Sequence, residues 1–120
     1  MRFIVCTIIA VVLHLLLGWE WTLFAGLLCG MIMPAKSWLW GGFSVATGWG
    51  VLILYNYLIA SAPLLRMLDV TGQILGNLPG AVVVVVTLLI GGLLGFLGGL
   101  IGAQLVQLVP SLKLYKQQTA

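Results

Sequence analysis

The stretch GAVVVVVTLLIGGLLGFLGGLIGAQLVQLV, residues 80–109, contains no charged side chain. An α-helix needs about 20 apolar residues to cross the hydrocarbon core of a bilayer, and this run is longer. The valine block at 82–86 favours a strand by propensity, but a lone strand in lipid leaves its backbone groups unpaired. The run therefore predicts a membrane-spanning helix over residues 81–109.

The glycines in the second half of this run share one helical face. At 3.6 residues per turn they fall within an arc of about 120°; they are Gly91, Gly92, Gly95, Gly98, Gly99 and Gly102. Small residues let two helix backbones approach closely in lipid, although glycine is also common in membrane helices generally. We predict that this arc is a helix-packing face, which locates a contact without defining an activity.

The composition places the whole chain in a membrane. Of its 120 residues 62% are hydrophobic and only 6% are charged, with a mean hydropathy of +1.25, whereas soluble domains carry about 25% charged residues. The net charge of +3 comes from cations at the ends of apolar runs. Such cations report membrane topology rather than nucleic-acid binding, so the expected partner is membrane lipid.

The amino-terminal third predicts a hairpin of two short spans, residues 3–18 and 21–34. Trp19-Glu20-Trp21 separates the two apolar runs and offers no small-residue cleavage site, which argues against a signal peptide. One helix through both runs would be about 46 Å long and would bury Glu20 in the membrane. Small residues at helical spacing on the second span, including Ala25 and Gly26, are expected to face the first span.

A third span is predicted at residues 42–60, followed by a short helix at the membrane surface. Ser61-Ala62-Pro63 is a typical helix start. Over residues 63–76 the polar side chains lie on one face and the leucines on the other, which is typical of an interfacial amphipathic helix. A connecting loop is the alternative, because Gly72 weakens a helix. The fold class is thus all-α, a polytopic membrane protein with four transmembrane helices and one interfacial helix.

Four spans place both termini on the same side of the membrane. That side carries four cations, Arg2, Lys36, Lys113 and Lys116, and the opposite side carries Arg66 together with Glu20 and Asp69. Since positive charge is enriched in cytoplasmic segments, we expect both termini to be cytoplasmic.

His14 is the only ionisable residue predicted to lie within a span. Such residues are functional candidates, here as a proton relay or a haem or chlorophyll ligand. The alternative is a neutral imidazole hydrogen-bonded to a carbonyl or threonine across the hairpin. One histidine makes a poor metal site, so no metal or cofactor is predicted. Cys6 and Cys29 are expected to be free buried thiols about one turn out of register.

No nucleophile–base pair, carboxylate pair or phosphate loop occurs in the sequence, which predicts that the chain is not an enzyme. The layout resembles a class of small bacterial four-helix membrane proteins with a Trp-rich first hairpin, a Pro-Lys stop after the second helix and a Gly-rich last helix. That resemblance implies no known activity. We expect an inner-membrane structural or accessory protein that forms a homo-oligomer or joins a larger membrane complex.

The alternative is a small oligomeric channel or transporter. Its polar path would be lined by the polar residues of the third span, Ser44, Thr47, Tyr55 and Asn56. A water-filled path needs several polar side chains on one face, and this chain offers few, so this function ranks second.

Overall fold

The computed structural model describes residues 1–33 and 36–109, and these form helices joined by short turns. The elements are α1 (Arg2–Leu17), a 3-10 turn (Trp19–Trp21), α2 (Thr22–Ile32), α3 (Ser37–Ile74) and α4 (Gly80–Leu108). The valine block at 82–86 is helical. The prediction of an all-helical chain is therefore confirmed over the described residues.

Two of these helices, α3 and α4, are long and apolar enough to cross a membrane. The hairpin helices are shorter, with 16 residues in α1 and 11 in α2. At 1.5 Å per residue they measure about 24 and 16 Å, less than the roughly 30 Å of a hydrocarbon core. By helix length alone, the described residues contain two candidate spans where the sequence predicted four.

A kink divides α3 at the point where the sequence predicted the end of a span. Ala60 has non-helical dihedral angles, φ −142° and ψ 58°, and Pro63 follows within the helix. Proline has no N–H to donate and its ring clashes with the carbonyl of the fourth residue before it, which accounts for the kink. We call residues 37–60 α3a and residues 61–74 α3b; they are one bent helix, where the sequence suggested two separate ones.

Two aromatic contacts show that α1 runs parallel to α3a. The rings of Phe3 and Trp40 are 5.7 Å apart, and those of His14 and Trp49 are 5.5 Å apart in an edge-on arrangement. The residue number increases in both helices from the first contact to the second, so the two helices run in the same direction.

Close backbone contacts give the directions of the other helices. Gly26 lies against Gly95 and Gly30 against Gly99, so α2 and α4 are parallel. Gly99 lies against Ser37 while Gly91, nearer the start of α4, lies further along α3a, so those two helices are antiparallel. The chain is therefore an up-down-up-down bundle, in which α4 contacts α2 and α3 and α1 contacts the same two helices.

Candidate functional site

The glycine face of α4 lies inside the bundle. Gly91, Gly95, Gly98, Gly99 and Gly102 are buried, and Gly92 is half-buried. The structure thus brings the predicted packing residues together on one face, and the helices that cover this face belong to the same chain.

One row of these glycines packs against α3a. A Cβ added at Gly95 would lie 2.5 Å from the carbonyl oxygen of Gly41 and 2.7 Å from the Cβ of Val45. At Gly99 it would lie 2.6 Å from the carbonyl oxygen of Ser37. Cβ atoms do not approach other heavy atoms this closely, so the backbones would have to separate.

A second row packs against α2. A Cβ at Gly98 would lie 2.5 Å from the carbonyl oxygen of Leu23 and 2.9 Å from the backbone nitrogen of Leu27. At Gly102 it would collide with the carbonyl of Leu27. The Cα–H faces of the two Gly-xxx-Gly patterns of α4 are therefore directed at different helices, those of Gly95 and Gly99 at α3a and those of Gly98 and Gly102 at α2.

Glycines on the neighbouring helices complete this contact. A Cβ at Gly26 would lie 2.8 Å from the carbonyl oxygen of Gly95, and one at Gly41 would lie 2.6 Å from the same atom. Gly30 meets the backbone of Gly99. We call these five residues, Gly26, Gly30, Gly41, Gly95 and Gly99, the glycine junction. Close approach of this kind is the usual basis of helix packing in lipid.

Sequence reasoning assigned part of this junction to the wrong neighbour and missed another part. Gly26 was expected to face the first helix, but it packs on α4. Gly41 was not predicted as a packing residue because the third span was expected to begin at residue 42, whereas α3 begins at Ser37. The signal that could have found it is the spacing of the small residues Ser37, Gly41, Ser44 and Gly48, which lie three or four residues apart and are all buried in α3a.

Gly92 differs from the other glycines of α4. A Cβ there would lie 3.6 Å from the Cβ of Ala46 and 3.8 Å from the carbonyl oxygen of Gly42, which are ordinary contact distances. It lies in an open apolar groove of about 440 Å³ between α3a and α4. We call this the outer groove; its lining includes Trp38, Gly42, Phe43, Ala46, Gly92 and Phe96.

His14 is half-buried and packs edge-on against the Trp49 ring. Its Nδ1 is buried and has no hydrogen-bond partner among the described residues, so the predicted bond across the hairpin is not formed at this atom. Within residues 1–33 and 36–109, no group of three or more histidine, cysteine or acidic side chains is placed to hold a metal ion.

The two thiols are closer than the sequence suggested. Cys6 and Cys29 are fully buried and their side chains are neighbours, and Ser44 lies beside Cys29. The prediction that they lie about one turn out of register is wrong, since the two side chains are neighbours. They remain free thiols.

The residues proposed for a polar path differ in their exposure. Ser44 is fully buried, whereas Thr47, Tyr55 and Asn56 are exposed. The Nδ2 of Asn56 donates to the carbonyl of Leu52 at 2.8 Å. The outer groove is not lined by any of the four.

Comparisons of this chain with protein-family models, curated protein sequences and solved structures found no match. Its function is therefore inferred from the residues and the packing described above.

Proposed function

We infer that this chain is a small integral membrane protein of the bacterial inner membrane. In this proposal it acts as a non-enzymatic structural or accessory subunit. Its glycine-packed bundle is a rigid unit that associates with a second copy or with a larger membrane complex.

The observation that carries the membrane placement is the exposure of the two long helices. In the most apolar window of α3 only 6% of the residues are buried, and in that of α4 only 17%. A uniformly hydrophobic helix in a soluble protein would be buried in the core. Side chains such as Leu58 and Leu89 are instead 74% and 67% exposed, which supports contact with lipid.

Two layers of exposed aromatic side chains support a bilayer position for α3a. Trp38 and Trp40 lie near its start, and Tyr55 and Tyr57 lie near its end. The axial distance from Trp40 to Tyr57 is about 26 Å at 1.5 Å per residue. Aromatic belts flank the hydrocarbon core at both interfaces, so this spacing suits a bilayer at the thin end of the usual range.

The short hairpin reaches the same two layers. Its first helix begins beside Trp40, where Phe3 packs, and His14 is level with Trp49. Trp49 precedes Tyr55 by about 9 Å of helix, and the residues from His14 to the 3-10 turn cover most of that distance. The hairpin tip with its tryptophans thus lies near the Tyr55 layer, which favours four spans despite the short helices.

The charges favour a cytoplasmic position for the Trp38 end. Arg2 and Lys36 lie at that end, whereas Glu20, Arg66 and Asp69 belong to the opposite end. Lys113 and Lys116 lie outside the described residues. Under the positive-inside rule, α3b then rests on the outer surface as the amphipathic interfacial segment.

The outer groove supports association with another protein. Its floor of Gly42, Ala46 and Gly92 faces away from the bundle interior and is bordered by aromatic side chains. Small residues on a lipid-facing surface allow a further helix to approach closely. The glycine junction itself is already occupied by the chain's own helices.

Purification in a mild detergent, with mass measurement and identification of the components, tests this proposal. We expect the chain in the membrane fraction, as an oligomer or with a defined partner. Ala46→Leu together with Gly92→Leu should fill the outer groove and release a folded monomer. Val85→Leu, at an exposed position of α4 outside this groove, is the control and should leave the assembly intact. Recovery of the wild-type chain in the soluble fraction, or as a monomer without partners, would contradict the proposal.

A further inference from the structure

The kink in α3 creates a second groove, at the opposite end of the bundle from Lys36. Beyond Ala60, α3b folds against the start of α4, where Leu68 lies next to Gly80 and Gly72 meets the carbonyl of Leu78. The space left between α3a, α3b and α4 has a volume of about 550 Å³. That volume falls within the range of about 300–1,000 Å³ typical of small-molecule sites. We call it the kink groove.

The lining of the kink groove combines an apolar wall with one acidic group. Its apolar members are Ile53, Leu54, Leu64, Leu65, Leu68, Gly80, Ala81 and Val84, and its polar members are Tyr57 and Asp69. The Asp69 carboxylate accepts one hydrogen bond, from Nε2 of Gln73 at 3.1 Å. Since a carboxylate has about four acceptor positions, most of its capacity is available to a ligand. A hydrocarbon chain fits the wall, and a cationic donor fits the carboxylate.

A positive charge close to this groove indicates which anionic group a ligand would carry. Arg66 is exposed and lies three residues before Asp69 on α3b, and residues at this spacing share a helix face. A guanidinium binds phosphate with two parallel hydrogen bonds. The kink groove therefore offers an apolar channel and an acceptor for an ammonium group. Arg66 is not one of its lining residues, but it offers a donor for a phosphate group within one helical turn of Asp69.

Resting on the membrane placement inferred above, we propose that the kink groove binds a phospholipid whose headgroup carries a primary amine, of the phosphatidylethanolamine type. An acyl chain lies along the apolar wall, the ammonium group donates to Asp69, and the phosphate accepts from Arg66. The groove lies at the Tyr55 and Tyr57 layer, the depth at which headgroup and chain meet. A phosphatidylglycerol headgroup has no cation for Asp69, and the quaternary ammonium of phosphatidylcholine has no N–H to donate.

Native mass spectrometry of the full chain with defined lipids tests this assignment. Phosphatidylethanolamine, phosphatidylglycerol and phosphatidylcholine with identical acyl chains are added at equal concentration to the detergent-purified protein. We expect the ethanolamine lipid to bind about fivefold more tightly than the other two, the upper end for an exposed ion pair. Glycerophosphoethanolamine, which has the headgroup without acyl chains, should not compete.

Two variants separate the parts of the proposed site. Asp69→Asn keeps the size of the side chain and should abolish the preference for the ethanolamine lipid. Arg66→Gln should weaken the binding of all three lipids, because each of them carries a phosphate. Gln107→Glu, which changes an exposed side chain at the far end of α4, is the control and should retain the preference. The thermal midpoint of each variant, measured in the same detergent, should match the wild-type value.

Equal binding of the three lipids to the wild-type chain would overturn the lipid assignment, as would an unchanged preference in Asp69→Asn or full competition by the headgroup alone. A separate experiment, extraction of membranes with alkaline carbonate, tests the membrane placement. Release of the chain from membranes by alkaline carbonate would contradict that placement, whereas a carbonate-resistant chain without lipid preference would contradict the lipid assignment alone.

Discussion

A single methyl group on α4 should destabilise the bundle at Gly95 and not at Gly92. Gly95→Ala places a Cβ 2.5 Å from the carbonyl oxygen of Gly41 and 2.7 Å from the Cβ of Val45. A backbone carbonyl cannot move away by changing rotamer, so the two helices must separate. Overpacking of a tight core costs about 1–3 kcal/mol. We expect Gly95→Ala to cost about 3 kcal/mol, the upper end of this range, because the new Cβ collides with a backbone atom.

The matched control lies three residues earlier. Gly92→Ala gives a Cβ at 3.6 Å from its nearest neighbour, an ordinary contact. Alanine favours the helix over glycine by about 1 kcal/mol at either position. We therefore expect Gly95→Ala to lose about 2 kcal/mol net and Gly92→Ala to be neutral or slightly stabilised.

Thermal unfolding in one detergent, followed by circular dichroism, measures this difference. A loss of about 2 kcal/mol corresponds to a fall in Tm of roughly 10 °C for a chain of this size. If both variants melt at the wild-type temperature or above it, the three helices do not approach as closely as described. If Gly92→Ala melts lower than Gly95→Ala, the packing face is rotated away from α2 and α3a.

Three further predictions follow from the packing. Mild oxidation should join Cys6 to Cys29 within one chain, seen as a mobility shift reversed by reductant; reaction between chains instead would contradict the contact between α1 and α2. His14→Phe should keep the ring contact with Trp49 and remove an unpaired buried nitrogen, raising the unfolding free energy by about 1 kcal/mol; loss of folding, or loss of a visible absorption band, would show that the imidazole binds a partner. Conservative changes of the exposed Leu97 and Leu100 to isoleucine should alter Tm by less than about 2.5 °C per site, which corresponds to the roughly 0.5 kcal/mol limit for surface substitutions, and a larger fall in Tm would place them inside a contact.

The extent to which the sequence predicted this fold differs among its elements. The glycine face of α4 was visible because a helical period sorts residues onto faces without reference to any neighbour. The break near Ala60 was predicted, as a boundary between two helices and not as a kink within one, because proline acts on its own helix. Both are local properties of the chain.

The identity of each neighbour was not local. The spacing of Gly26 and Gly30 indicates a packing face, but only the bundle topology determines that this face meets α4 and not α1. The contact between Cys6 and Cys29 depends on how many residues the turn at Trp19–Trp21 uses, and hydrophobic periodicity does not specify a 3-10 turn. The kink groove depends on the angle between α3a and α3b, which a proline permits but does not fix.

The hairpin helices agree closely with the two short spans predicted from the sequence. The prediction of residues 3–18 corresponds to α1 (Arg2–Leu17), and α2 (Thr22–Ile32) is a little shorter than the predicted residues 21–34. Apolar residues continue from Phe3 to Gly18 and from Trp21 to Met33, and hydropathy treats each run as a candidate span. The structure ends α1 at Leu17, where Gly18 takes a positive φ of 92° before the turn. Such a backbone conformation suits glycine, and it determines where α1 ends.

The measurement that tests the account most directly is the accessibility of single cysteines in intact cells. In a chain with Cys6→Ala and Cys29→Ala, cysteine is introduced in turn for Glu20, Lys36 and Gln73, and a membrane-impermeant maleimide is added before and after permeabilisation. The four-span account predicts labelling of Glu20→Cys and Gln73→Cys in intact cells, and of Lys36→Cys only after permeabilisation. Labelling of Lys36→Cys in intact cells, or of Glu20→Cys and Gln73→Cys only after permeabilisation, would contradict it.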